Sequence, residues 1–119
     1  MYLENCKKIL TVADVLTSIP LPDHWKADIK KNISVFELQS VYIKDIHFSD
    51  EDIKKEKKEE MISLLKNKNK EVLFKIIKNP IILSDAFYVI DGRHRMTIAK
   101  ELNVKFIDAY VACRKISTL

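Results

Sequence analysis

Glycine is nearly absent from this chain of 119 residues, which contains a single one, Gly92, along with three prolines and two cysteines. Cys6 and Cys113 are far apart and do not form a Cys-x-x-Cys pair, so reduced thiols are favoured over the one bridge they allow. The three histidines show no spacing typical of zinc ligands. A disulfide framework and a structural zinc site are therefore not indicated.

Long hydrophobic runs are also missing. No apolar stretch approaches the roughly 18 residues of a membrane span, and the N-terminus lacks the continuous apolar region of a secretory signal. Apolar residues make up 47% of the chain and charged residues 32%, which is typical of one globular domain. We therefore expect a cytoplasmic protein that makes no membrane contact.

The charge is mildly basic, with a net value of +4 and a pI near 9.0. This allows a nucleotide or nucleic-acid partner without requiring one. Lysines alternate with acids in KKEKKEE at 54–60, which favours a solvated helix face over a nucleic-acid stripe. Only three of the 21 basic residues are arginine, and two of them, Arg93 and Arg95, flank His94 directly after the single glycine.

The apolar periodicity predicts the elements of the first half of the chain. We expect an amphipathic helix over 5–17 that ends at the Pro20–Pro22 segment, then a short helix over 25–31 capped by Asp23. Residues 33–38 and 40–46 have strand-like composition, with a boundary between them that the pattern leaves open. His24 and Trp25 are interpreted as packing residues.

The second half begins with a helix from Ser49 to about Lys66, since a hydroxyl followed by three acids is typical of a helix start. Residues 72–77 predict a further helical piece, although their composition also permits a strand. The remaining predictions are strands at 81–83 and 87–90 joined by a turn, a helix over 96–102 with Asn103 as a left-handed C-cap, and a strand over 106–111. Phe87 and Tyr88 are interpreted as hairpin core.

The segment that carries chemistry is Asp91-Gly92-Arg93-His94-Arg95, at the predicted strand-to-helix junction. Glycine permits a positive φ and a close backbone approach, and the first helical turn presents unpaired amides that favour an anion. Guanidinium groups bind phosphate in a forked geometry that lysine does not reproduce. The pattern predicts a phosphate site, with Thr97 as a further donor. The alternative is a plain turn with surface arginines. Cations are unfavourable at a helix N-terminus, so two arginines placed there favour a function over this alternative.

Residues 80–112 resemble the ParB/sulfiredoxin fold, whose members carry a strand, then (D/G)G-x-(H/R)-R, then a helix. The similarity extends back to Gln39. It implies an α+β fold with a small mixed sheet and packed helices over residues 39–119. Residues 1–38 would then be a helix-rich N-terminal extension that packs on this domain.

The resemblance also implies a nucleotide site, in which ATP, ADP or CTP is held by the loop with Mg²⁺. Gly92, His94 and Arg95 match the recurrent motif, and Asp91 matches the free serine kinase branch, DG-x-HR. In that branch the acid and the histidine act in phosphoryl transfer. The implied roles are phosphate binding by the loop and catalysis or magnesium binding by the acid.

A second acid of the kinase branch comes from just before the first helix, where Asp50 and Glu51 stand in this chain. The implied activity is therefore nucleotide-dependent phosphoryl transfer or nucleotide hydrolysis. A structural role without catalysis is the alternative at each position. Asp91 is also a reasonable helix cap, and the acids at 50–52 also compensate the helix dipole.

The chain departs from the family pattern at several positions, and two rival functions remain. Sulfiredoxins have a cysteine where this chain has Arg93, which excludes their sulfinic-acid chemistry. No arginine precedes Arg93, and only 24 residues follow Arg95, which disfavours clamp-type CTP hydrolysis and partition-site binding. The rivals are a ParB-like nuclease or DNA-binding module, and a non-catalytic regulator that binds a protein partner through residues 1–38.

Overall fold

A mixed five-stranded sheet with helices on both faces forms the framework of the protein, as seen in a computed structural model. The structure describes residues 8–48, 59, 63, 66 and 70–116. Its elements are β1 (Ile9–Thr11), α1 (Val12–Ser18), α2 (Asp23–Asn32), β2 (Ile33–Tyr42), a 3-10 turn (Ile43–Asp45), α3 (Lys70–Ile77), β3 (Ile81–Leu83), β4 (Val89–Asp91), α4 (Arg93–Glu101) and β5 (Phe106–Arg114). The predicted α+β class with a mixed sheet is confirmed.

The strand order is β1-β2-β5-β3-β4. The long central pair, β2 and β5, is antiparallel from Ile33 opposite Arg114 to Tyr42 opposite Phe106. On its other edge β5 pairs in parallel with β3, which forms an antiparallel hairpin with β4. Strand β5 therefore has a hydrogen-bonded neighbour on each side.

Two hydrophobic cores lie on opposite faces of this sheet, because side chains alternate along each strand. The first core is covered by α3 and α4, and the second by α1 and α2. In β5, Ile107 and Ala109 face the first core, whereas Tyr110 and Ala112 face the second. Apolar residues on both faces are what a strand covered on both sides requires.

The N-terminal helix predicted over 5–17 is wrong in its first half. Residues 9–11 form strand β1, which is antiparallel to β2 with Ile9 opposite Glu37. The helix starts only at Val12. Thr11 caps it: its hydroxyl accepts from the Asp14 amide at 3.0 Å, and the Asp14 carboxylate accepts from the Thr11 amide at 3.1 Å. This capping box separates strand from helix, and its Thr-x-x-Asp spacing was visible in the sequence. Residues 5–7 lie outside the described residues.

Helix α2 begins at Asp23, so Asp23 is its first residue and Pro22 holds the cap position. The two predicted strands at 33–38 and 40–46 are one strand, β2, followed by the 3-10 turn. The prediction failed at 43–46 because Ile43 and Ile46 are both buried in the first core, three residues apart, which fits a tight helical turn.

The helix predicted from Ser49 to Lys66 falls mostly outside the described residues. Within that span the structure describes residues 59, 63 and 66, and all three are helical. The helical reading of 72–77 is confirmed by α3, which buries Leu73 and Ile77 one turn apart. The predicted division between residues 38 and 39 falls within β2, and α1 and α2 pack on the same sheet. That division stays a prediction.

For the elements that follow, the predicted type of structure is correct, but the predicted first or last residue differs from the observed one. Strand β4 covers 89–91 instead of 87–90, α4 begins at residue 93 instead of 96, and β5 continues to 114 instead of 111. Asn103 has a φ of 55°, which confirms the left-handed conformation expected after the helix. None of the helices in the described part of the chain has the length and apolar character needed to cross a bilayer.

Asp108 lies in β5 opposite Ser40, and burial raises the pKa of its carboxyl above its usual value. The folded protein therefore holds this proton more tightly than the unfolded chain does. Stability then falls as pH rises through the window that begins near the ordinary aspartate pKa and ends at the raised one.

We expect Asp108→Asn to become progressively more stable than the native chain as pH rises from about 3 to about 7, because the amide carries no charge to desolvate. Urea unfolding across this pH range measures the difference. Asp45→Asn, at an exposed residue, is the control for the replacement of an aspartate by asparagine. A difference that shrinks with rising pH would contradict the assignment.

Candidate functional site

The junction between β4 and α4 turns within a single residue. Asp91 ends the strand, Arg93 begins the helix, and Gly92 between them has a φ of 112°. A Cβ added at Gly92 would lie 2.8 Å from the Cβ of Ile81 and closer still to another atom of that side chain. The single glycine is therefore required both by its backbone conformation and by its contact with β3.

Arg95 ties this junction together. Its guanidinium donates to the Pro80 carbonyl at 2.7 Å, to the Asn79 carbonyl at 3.1 Å and to the Asp91 carboxylate at 3.0 Å. The Arg95 side chain is 21% exposed. Most of its donors face groups of the protein itself, so the structure gives it a positioning role. Its predicted role in phosphate binding stays a prediction.

Arg93 and His94 are placed differently, since both are exposed in the first turn of α4. The first helical bond runs from the Met96 amide to the Gly92 carbonyl at 2.9 Å, and no side chain among the described residues caps the helix. The amides of residues 93–95 therefore precede the helical ladder, beside one guanidinium and one imidazole. This arrangement suits an anion.

Thr97 was predicted as a further phosphate donor. It is 8% exposed, and its hydroxyl donates to the Arg93 carbonyl at 3.3 Å within the helix. A hydroxyl in this position packs inside the domain beside the first core. The structure therefore brings Gly92, Arg93 and His94 together at the surface, with Thr97 beneath them.

Asp91 was predicted to be a base or a magnesium ligand. Its carboxylate is 45% exposed and accepts from Arg95, so it is already neutralised by an ion pair. Magnesium takes six oxygen ligands, usually including waters and substrate phosphates. One ion-paired carboxylate does not make such a site by itself, and no cluster of three or more metal-ligating side chains occurs among the described residues. Asp50 and Glu51, the other predicted acids, lie outside the described residues.

Three cavities are lined by described residues, and none of them includes residues 91–95. One lies between α2 and the β3–β4 turn, one between α1 and α2, and one between the 3-10 turn and the segment after α4. Sequence reasoning missed all three. Tyr88, interpreted as hairpin core, is instead 53% exposed and lines the first cavity.

The geometry predicts that two neighbouring arginines have different roles. Arg95→Ala should lower the free energy of unfolding by about 1–3 kcal/mol, because it removes hydrogen bonds to two carbonyls and a carboxylate. Arg93→Ala, at an exposed side chain, should change it by less than about 0.5 kcal/mol. Urea denaturation of both variants measures this, and equal losses would contradict the positioning role of Arg95.

No family model and no curated protein matches the chain. It is similar to a solved structure described as the C2221 form of a Pnob8-like ParB-N domain, with a TM-score of 0.41 and 18% sequence identity. The match covers 65% of this chain and 29% of that chain. The likeness is one of fold alone.

Proposed function

We propose that this protein binds a nucleoside phosphate at the β4–α4 junction. The observation that carries the proposal is the uncapped start of α4 after the left-handed Gly92, with Arg93 and His94 exposed beside the free end of the helix. Backbone amides, the helix dipole and a guanidinium all favour negative charge at the same place.

A phosphate ester is favoured over a carboxylate because several donors converge there. The first-turn amides can hold one oxygen, and the forked Arg93 side chain can hold two others. Arg95 supports this indirectly, since its contacts with the carbonyls of Asn79 and Pro80 hold the loop in one position. A fixed loop loses less conformational entropy when a ligand binds.

The enzymatic form of the proposal is phosphoryl transfer or nucleotide hydrolysis. Exposed His94 is the group best placed to exchange a proton with a bound phosphate or its acceptor. The Asp91 carboxylate is already engaged in an ion pair with Arg95. Asp50 or Glu51 as the second acid is part of the same proposal.

Calorimetric titration with ATP, ADP and CTP, each with and without Mg²⁺, tests the binding step. We expect at least one nucleotide to bind, and Arg93→Ala to weaken it roughly tenfold through loss of a charged, forked contact. Arg114→Ala is the matched control, because Arg114 is an exposed arginine that pairs with Asp85 in the turn before β4, whereas the loop follows β4. His94→Ala tests the imidazole separately.

Binding that Arg93→Ala leaves unchanged would place the nucleotide elsewhere and overturn the assignment of the loop. The absence of binding by all three nucleotides would overturn the proposed function. A release of phosphate that stops in His94→Ala while binding remains would support the enzymatic form.

A second candidate, nucleic-acid binding, is favoured by the cavity between the 3-10 turn and the segment after α4. It measures about 310 Å³, and Lys44, Lys100 and Lys105 line it with no acidic residue among its lining. Tyr42, also in its lining, contacts the ring of Phe106 at a centroid distance of 5.3 Å, and Phe106 is 58% exposed. Lysines beside exposed rings are typical of single-strand binding surfaces.

On this reading a labelled single-stranded oligonucleotide should bind with an affinity that falls steeply as salt rises. The double variant Lys44→Ala/Lys105→Ala should reduce the slope of log K against log salt by about 1.4, near 0.7 for each lost phosphate contact. Lys78→Ala, an exposed lysine on the α3 side, is the control. An unchanged slope in the double variant would remove this candidate.

A further inference from the structure

The cavity between α2 and the β3–β4 turn has the character of a small-molecule site. Its volume is about 330 Å³, within the range of roughly 300–1,000 Å³ typical of ligand pockets. Its apolar lining comes from both elements and from the sheet beneath them, and it includes Trp25, Ile29, Tyr88 and Ile90. It lies on the sheet face that α1 and α2 cover, whereas α4 packs on the opposite face.

Apart from the imidazole of His24, the ionisable groups on the Asp, Glu, Lys and Arg side chains of this lining have one sign. Asp28 and Asp85 are its only Asp, Glu, Lys or Arg side chains, although the chain as a whole has 21 basic and 17 acidic residues. Asp85 is partly compensated by Arg114, 3.0 Å away. Asp28 accepts from the neutral amide of Asn32 at 2.6 Å, so its negative charge is uncompensated by that contact.

The turn that carries Tyr88 is held in one conformation. The Ser84 hydroxyl accepts from the Tyr88 amide at 3.0 Å, and the Ser84 amide donates to the Tyr88 carbonyl at 2.9 Å. The Tyr88 ring stacks on His47 with centroids 4.5 Å apart. The mouth of the cavity is therefore fixed even though Tyr88 is 53% exposed.

Phe87, between the lining residues Ala86 and Tyr88, has a φ of 65°. A bulky side chain rarely adopts this left-handed conformation, which stores strain in the backbone. A glycine would relieve that strain, but it would not provide the partly buried Phe87 ring that packs on the first core. The chain thus accepts a strained turn that places Tyr88 at the cavity.

We propose that this cavity binds a small molecule with an apolar body and one primary ammonium group. The body lies against Trp25, Ile29 and Ile90, and the ammonium binds the Asp28 carboxylate. A cation near the faces of Trp25 or Tyr88 is further stabilised by their ring electrons. The site goes beyond the proposed nucleotide binding and does not depend on it.

Trp25 is the single tryptophan of the chain and lines this cavity, so its fluorescence can report a ligand bound there. Three probes share a phenyl ring and a two-carbon skeleton and differ in charge: phenethylamine is a cation at neutral pH, 2-phenylethanol is neutral, and phenylacetate is an anion. A ligand of about nine non-hydrogen atoms is expected to bind with a Kd on the order of 1–10 mM. Titrations run to roughly 30 mM at constant ionic strength.

The amine should shift or quench Trp25 emission and bind roughly threefold to tenfold more tightly than the alcohol, with the anion the weakest. Asp28→Asn should abolish the preference for the amine while the alcohol binds as before. Asp23→Asn, on the same helix but outside the lining, should leave the preference intact. Ala86→Leu should weaken all three probes by filling the cavity.

Equal affinity for the three probes would overturn the charge assignment, as would a preference for the amine that survives Asp28→Asn. No change in Trp25 emission with any probe would overturn the site itself. Thermal unfolding of each variant checks that it folds. The wild-type comparison of the three probes needs no substitution, so the proposal remains testable if Asp28→Asn does not fold.

Discussion

Strand β5 is the constraint on which the other elements depend. It is antiparallel to β2 on one edge and parallel to β3 on the other, and its two faces contribute to the two separate cores. A strand enclosed in this way has no freedom to slip, since a shift of one residue would exchange its two faces. The register of β5 therefore fixes β3, and with it the position of Ile81 and the carbonyls just before it.

The β4–α4 junction is built against that fixed strand. Gly92 contacts Ile81 so closely that a Cβ does not fit, and Arg95 hydrogen-bonds the carbonyl of Pro80. The residues that sequence motifs make most conspicuous thus serve first to hold the helix start in place. Arg93 and His94, between these two residues, remain exposed, so the side chains proposed to bind phosphate belong to residues that contribute little to the shape of the loop.

Local patterns predicted what local chemistry determines. The left-handed conformations of Gly92 and Asn103, the strand at 81–83 and the helix after the junction follow from neighbouring residues. Strand β1 was missed because its apolar spacing also fits a helix and only its pairing with β2 decides between them. The contacts of Arg95 with residues 79 and 80, and the cavity that joins α2 to the β3–β4 turn, depend on chain segments brought together by the sheet. The apolar periodicity of a single segment does not predict contacts between distant segments.

Strand β4 lies between the two proposed sites, which are expected to prefer opposite charges. Its side chains alternate, so Ile90 lines the cavity under α2, whereas Val89 packs in the core under α4. The next residue, Asp91, points its carboxylate at Arg95 on the α4 side. That ion pair neutralises the acid of the loop, so Asp91 does not repel an anion that approaches Arg93 and the helix amides. The Asp28 carboxylate lies beyond the strand, on the other face of the sheet, where it is proposed to bind an ammonium group. A three-residue strand thus separates the proposed phosphate site from the proposed amine site.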